Sequence, residues 1–438
     1  MMMRNLIAII LFLFVAASCS QHKEVTQKFS NTDISHVMSE MTDIMLHDVT
    51  NPPLATRFFS YACLAGYEII SQNDSSFAKM YGVLNGYPDI KLPDSISGYS
   101  YQLAALLAIL ETAKKMQPSG PLLKKYQSSL LDSCRKNGVA EETINNSLNY
   151  AIYISKKILA YAKADGYNKI SNLSRYTPVE KEGSWYPTPP AYMAAVEPYF
   201  NTVRSFTLDS SAQFKPSPPA TFSKDPSSDF IKQALTIYNE GKPFDDDKLK
   251  IAAFWDCNPF ALQDGGHLLV GLKKISPGAH WLGIADIACG KSGKDFNESL
   301  FIHTVVSIGL MDAFITCWDE KFRSNRIRPE TAIRKYKDPN WRPLLQTPPF
   351  PEYPSGHSTI SAAAAVILTK YLGDNFKYTD TVEVKFGLPA RDFNSFQQAS
   401  EEAAISRLYG GIHFMDAIEN GKIQGTKVGN WVLDKIKR

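Results

Sequence analysis

Apolar residues recur at i, i+3, i+4 and i+7 through Thr56–Ser71, Tyr101–Met116, Ile144–Ala164, Phe301–Trp318, Thr359–Leu372 and a last stretch toward Val432. That spacing lines one face of a 3.6-residue helix. Alternating strand patterns closed by Asn-Gly or Asp-Gly turns are scarce, so hairpins are expected to be few. The pattern predicts a mainly α chain.

The periodicity breaks between Tyr176 and Ser228, where nine of the 26 prolines fall. A free linker would be poor in large apolar side chains. This stretch carries Trp185, Tyr186, Tyr192, Tyr199 and Phe200. It is read as an ordered, proline-rich strap holding one helical layer onto another. No internal repeat or low-complexity tract is present.

The first residues are set apart. Arg4 precedes a twelve-residue apolar run, Leu6–Ala17, too short for a bilayer span and typical of a secretory leader. Ala16, Ala17 and Ser18 lead into Cys19, which resembles a bacterial lipobox. The expectation is a leader over 1–18, a tether over 19–32 and lipidation of Cys19. The mature protein would then be an exported lipoprotein, periplasmic or on the outer surface, touching the membrane only through its anchor. A single helical domain is expected over 33–438, with an N-terminal half at 33–230 and a catalytic half at 231–438.

Composition is ordinary for a globular protein, with 44% hydrophobic and 21% charged residues among 438. The formal net charge of +3 gives no reason to expect nucleic acid as a partner. Beyond Cys19 five cysteines remain, an odd number without CxxC pairs. That argues against a disulfide framework and against a zinc site.

Candidate chemistry lies in three segments. Lys321 to Pro329 holds four cations within eight residues, among aromatic neighbours. Pro329 forces Arg328 out of helical geometry, and an Arg at a helix exit can aim its planar fork at an anion. Pro348 to His357 is a proline-rich approach to a helix starting near Ser355. The first N–H groups of a helix lack internal partners and favour negative charge. Gly356 admits close approach of an anion, and His357 falls in the first turn. In the third segment Ser406 and Arg407 precede Gly410, Gly411 and His413; the glycine pair is a helix break that could return His413 to the same pocket. Three cations, a helix N-terminus and two histidines suit a tetrahedral oxyanion and proton transfer. His280, in Pro-Gly-Ala-His-Trp, is read as a buried structural histidine or a minor site residue.

The ordered set K-x6-RP, PSGH and SR-x5-H resembles the signature of the type 2 phosphatidic acid phosphatase and vanadium-dependent haloperoxidase superfamily. Lys321, Arg328, Pro329, Pro354, Ser355, Gly356, His357, Ser406, Arg407 and His413 carry the match, with looser similarity to the soluble haloperoxidase branch upstream. The resemblance implies an all-α fold of helical bundles. It implies that Lys321, Arg328 and Arg407 neutralise the anion and that Ser355 and the Gly356 N–H bind it. His413 would bond its central atom, and His357 would be the general acid/base. The cofactor would be vanadate in a haloperoxidase acting on halide and peroxide, and none in a phosphatase acting on a phosphate ester through a phosphohistidine. The phosphatase pattern has an Asp four residues after the last His; here Ala417 stands there, with Asp416 one residue early as the candidate partner of His413. Trp318 and Phe350 resemble the corresponding positions of vanadium chloroperoxidases. The leading expectation is a haloperoxidase-like enzyme, with an acid phosphatase and a non-catalytic phosphate or headgroup binder as alternatives.

Overall fold

Each periodic stretch is a helix whose ends are set by local chemistry. The Pro52–Asn73 helix starts where Asn51 accepts the Leu54 N–H through its side chain at 2.9 Å, with Pro52 at the first helical position. The Tyr101–Met116 helix is capped by Ser100, and the Glu141–Lys163 helix has two acids in its first turn. The computed structural model describes residues 27–240, 245–264 and 269–437. The leader, Cys19 and the tether up to residue 26 lie outside the described residues. Ordered helix begins at Asn31, where Ser30 and Asp33 form a capping box, two residues before the expected domain boundary.

The Phe296–Ser324 helix is the axis of the fold. Asp295 caps its start by accepting the Glu298 N–H at 2.8 Å, and Asn325 ends it in the left-handed region at φ 47°. Its 29 residues reach about 44 Å. By length and apolarity it could cross a membrane, but its most apolar stretch is wholly buried. It is a core helix. The Pro52–Asn73, Tyr101–Met116 and Glu141–Lys163 helices pack together on one side. The Gly356–Leu372, Phe396–Tyr409 and Met415–Lys435 helices pack on the other. One hydrophobic cluster runs from Phe29 to Ile436, so both halves of the chain share a core. The strands among the described residues form two antiparallel pairs, Leu262–Asp264 with Leu269–Gly271 and Tyr378–Asp380 with Arg391–Phe393.

Backbone contact fixes the catalytic layer. The Met415–Lys435 helix crosses the Gly356–Leu372 helix so closely that a Cβ at Gly425 would land on the Thr359 carbonyl oxygen. At Gly421 it would lie 2.8 Å from the Ser355 carbonyl. Only glycine permits this approach, and it pins the start of the Gly356–Leu372 helix.

The strap is ordered. Trp185 N–H donates to the Asn325 carbonyl at 2.8 Å, Ile327 N–H to Gly183 at 2.9 Å, and Val196 N–H to Pro349 at 3.0 Å. Trp185 and Phe200 are buried by it, whereas Tyr186 and Tyr192 face solvent. The strap therefore clamps the cationic segment at Asn325 and Ile327 and the proline-rich approach at Pro349. All five described cysteines are buried free thiols.

Candidate active site

Four separate helix ends deliver the candidate residues to one place. Trp318 and Lys321 come from the last turns of the Phe296–Ser324 helix. Arg328 is the extended residue before the Pro329–Tyr336 helix, at φ −80° and ψ 152°. Ser355 caps the Gly356–Leu372 helix, accepting the Ser358 N–H at 3.3 Å. The Phe396–Tyr409 helix supplies Ser406 and Arg407 and then ends at Gly410. Gly411 turns at φ 73°, which brings His413 back beside Arg328 before the Met415–Lys435 helix begins.

These elements enclose a cavity of about 30 Å³. His357, His413, Arg407, Gly356, Trp318 and Phe350 line it, together with Asp256, Cys257, Asn258, Phe260 and Gln346. Trp318 and Phe350 pack at 4.9 Å between ring centroids, making one wall apolar. Lys321, Arg328 and Ser355 stand behind the lining residues, fully buried.

The histidine hydrogen bonds define its tautomer. Arg328 donates to Nε2 of His413 at 3.3 Å, so Nε2 is an acceptor. Nδ1 then carries the proton and donates to Oε1 of Glu352 at 2.8 Å. Glu352 also accepts the Phe414 N–H at 2.9 Å and pairs with Arg326 at 3.2 Å. Burial pushes the Glu352 pKa up, while Arg326 and Arg328 oppose it. Three donors on one carboxyl favour the ionised form. Burial, with Arg328 and Lys321 next, holds His413 well below the usual histidine range. The result is a neutral imidazole whose Nε2 lone pair faces Arg328 at the edge of the site.

Asp416 is corrected here. It does not touch His413: one oxygen pairs with Arg326 at 2.5 Å and the other accepts the Ala220 N–H at 2.9 Å. Its side chain leaves the helix start toward the strap, and the longer Glu352 reaches the imidazole instead. Asp416 supports Arg326, which in turn supports Glu352.

Lys321 also departs from expectation. Its ammonium donates to the carbonyls of Pro351 and Glu352 at 3.1 Å each and of Pro354 at 2.5 Å. All three donors are used on backbone, so Lys321 offers the cavity charge rather than a hydrogen bond. Burial, with Arg328 adding to it, pulls its pKa down to about 7. Arg328 is likewise lowered by burial, to about 10. Its Nε donates to Phe350 at 3.0 Å and one terminal nitrogen to Ile412 at 2.9 Å, while the other is buried without a partner. Arg407 donates to Ser406 Oγ at 2.9 Å and to the Trp255 carbonyl at 2.5 Å.

His357 is half-buried, and its Nε2 has no hydrogen-bond partner. Burial, then Arg407 and His413, hold it well below the usual histidine range. Asn258 also has a buried, unpartnered side-chain nitrogen. Buried donors without acceptors cost about 1–3 kcal/mol each. Four buried cations, Lys321, Arg326, Arg328 and Arg407, outnumber the buried carboxylates Glu352 and Asp256, and with donors left over they fit an oxyanion.

Glu352, Arg326 and the Asp256–Asn258 turn were missed by sequence reasoning. Glu352 had a visible signal, being the carboxylate within the proline-rich run leading to Ser355. The 256–258 turn had none. His280 is structural in its immediate contacts: it is fully buried, stacked on Trp255 at 4.7 Å and bonded to Asp380 at 2.8 Å.

Comparison with known proteins bears on family and fold. Residues 301–438 match a family model described as the VCPO second helical-bundle domain. A crystal structure described as the first bacterial vanadium-dependent iodoperoxidase is 42% identical over 95% of this chain and 99% of that one, with a TM-score of 0.89. The holo and apo structures of a bacterial vanadium-dependent chloroperoxidase have TM-scores of 0.67 and 0.66 at 14% and 15% identity. They cover 89% and 88% of this chain, and 93% and 94% of theirs, and show the shared fold. No curated protein sequence matches.

Proposed function

The chain belongs to the vanadium-dependent haloperoxidases, and from that premise we propose that it holds vanadate on His413 and oxidises iodide with hydrogen peroxide. The observation that carries this reading is the Arg328–His413–Glu352 chain of hydrogen bonds, which places the proton on Nδ1 and makes Nε2, now accepting from Arg328, the atom that would bind the anion. Arg328, Arg407 and Lys321 would supply the countercharge, and the first-turn N–H groups after Ser355 would complete the cradle. Bound there, vanadate supplies an electrophilic centre that activates peroxide for oxygen transfer to halide.

The remaining steps belong to the chain. With its pKa held low, His357 is neutral in solution near neutrality, so Nε2 can take the peroxide proton and return it to the departing oxygen. The balance is one iodide, one hydrogen peroxide and one proton giving hypoiodous acid and water. Trp318, Phe350, Phe314 and Phe260 exclude water from one side of the cavity. An apolar aromatic wall suits a large, weakly hydrated and easily oxidised anion, and the 42%-identical relative is described as an iodoperoxidase.

Purified protein reconstituted with orthovanadate should oxidise iodide in the presence of peroxide, faster than bromide or chloride, and lose this with His413→Ala. Phosphate-ester hydrolysis with an acid-labile phosphohistidine at 413, and no halide turnover, would overturn the reading. The Leu6–Ala17 run and Ala16-Ala17-Ser18-Cys19 further support export with a lipid on Cys19. Mass spectrometry of the membrane fraction should find a diacylated Cys19 as the first residue; a soluble chain retaining Met1 would refute it.

A further inference from the structure

Behind the wall of the cavity that carries Cys257 lies a second cluster. Cys257 sits in the turn after the Asp246–Phe254 helix, His280 in the first turn of the Pro277–Lys291 helix, and Glu383 just before the Val384–Phe386 turn. Their ligand atoms form a triangle. The Cys257 sulfur is 3.4 Å from His280 Nδ1 and 3.8 Å from Glu383 Oε1, and Nδ1 is 3.3 Å from Oε1. All three residues are buried.

Such a triangle is what tetrahedral zinc requires. Bond lengths of about 2.3 Å to sulfur, 2.0–2.1 Å to nitrogen and 2.0–2.2 Å to carboxylate oxygen place neighbouring ligand atoms roughly 3.3–3.6 Å apart. The other ring nitrogen strengthens the case: Nε2 of His280 is bonded to Asp380 Oδ2 at 2.8 Å. A carboxylate on the far nitrogen is the usual device that orients a metal-binding imidazole and raises its basicity. Trp255 stacks on the ring at 4.7 Å and 19°, and Phe254 meets it edge-on at 5.4 Å, fixing its plane. Two carboxylates and a thiol thus surround a single imidazole in a dry setting, where unbalanced negative charge is costly.

We propose that Cys257, His280 and Glu383 bind a zinc-class divalent ion, with Asp380 orienting the histidine. On binding, the thiol would lose its proton to solvent and the ion would take three protein ligands, leaving a fourth corner for water. Val384, next to Glu383 in the chain, is 48% exposed, so the cluster lies close under the surface at this turn. The ion would brace the active-site wall: Trp255, two residues before Cys257, gives its carbonyl to Arg407, and Cys257 and Asn258 line the cavity. The ligands come from positions 257, 280 and 383, so no sequence spacing announces them.

The test uses the whole protein without vanadate, halide or peroxide, so its outcome is independent of the haloperoxidase reading. Chelator-stripped protein titrated with zinc alone should bind about one ion per chain and melt at a higher temperature. Cobalt in its place should give the intense charge-transfer absorption of a thiolate ligand. Cys257→Ser should abolish that band, and Glu383→Gln, with native circular dichroism, should weaken zinc binding roughly tenfold or more. No zinc uptake, cobalt bound without the band, or a band that survives Cys257→Ser would each overturn the proposal. The cluster would then be a metal-free hydrogen-bonded network.

Discussion

His413 donates its Nδ1 proton to Glu352 at 2.8 Å, and this bond decides which ring nitrogen faces the cavity. Glu352 is itself held by the Phe414 N–H and by Arg326. A ligand histidine is thereby fixed in tautomer and in plane before any anion arrives.

Replacing Glu352 by Gln keeps the size but lets the amide present a donor to Nδ1. Vanadate affinity, measured by titrating vanadate-free enzyme and following activity, should fall about 10–100-fold. Asp416→Asn, one link further out on Arg326, should cost much less. Equal losses would show that Asp416 rather than Glu352 governs the imidazole.

Lys321 should report on anion binding through protons. Burial holds its pKa near 7, so an arriving anion raises it and the site takes up a proton above neutrality. Calorimetry at about pH 8, in buffers of different ionisation enthalpy, should show uptake that Lys321→Met removes. Identical proton balances in the two proteins would contradict this.

The stability contributed by the two cavity histidines should decline on mild acidification, opposite in sign to that of His280 and His303, which Asp380 and Asp286 raise against the effect of burial. Burial holds the folded pKa values of His357 and His413 well below the ordinary histidine value. Below about pH 6.5 these two positions therefore bind more protons in the unfolded chain than in the folded one, and their contribution to stability falls as pH falls. Denaturant melts between pH 7.5 and 5 should show the wild type losing stability relative to His357→Gln as pH falls; a constant difference would contradict this.

The glycine seam should tolerate no side chain at its tightest point. Gly425→Ala would drive a methyl onto the Thr359 carbonyl, and overpacking of this kind costs about 1–3 kcal/mol or more. A lowered melting temperature with reduced vanadate affinity is expected, because the seam sets where Ser355 and His357 stand. Gly373→Ala, in open space but at φ 104°, should destabilise through backbone strain alone and leave affinity intact.

By itself the sequence determined the parts whose causes are local. Helical periodicity placed the Tyr101–Met116 helix at its observed bounds and several others with shorter ends than observed, but it did not mark the Asn31–His47, Lys124–Lys136 and Pro277–Lys291 helices. Pro329 set Arg328 extended, Ser355 capped its helix, and Gly410-Gly411 turned the chain toward His413. The aromatics of the 176–228 stretch signalled an ordered strap, although only packing decided that Trp185 is buried and Tyr192 is not. What tertiary structure alone decided depends on distances between remote segments. Glu352 rather than Asp416 meets His413, because direction and reach in space outweigh position relative to the motif. Lys321 turns to three carbonyls because the Pro351–Pro354 approach folds over its ammonium. Cys257, His280 and Glu383 converge because three unrelated turns pack on one ring, and no periodicity or spacing along the chain encodes that meeting.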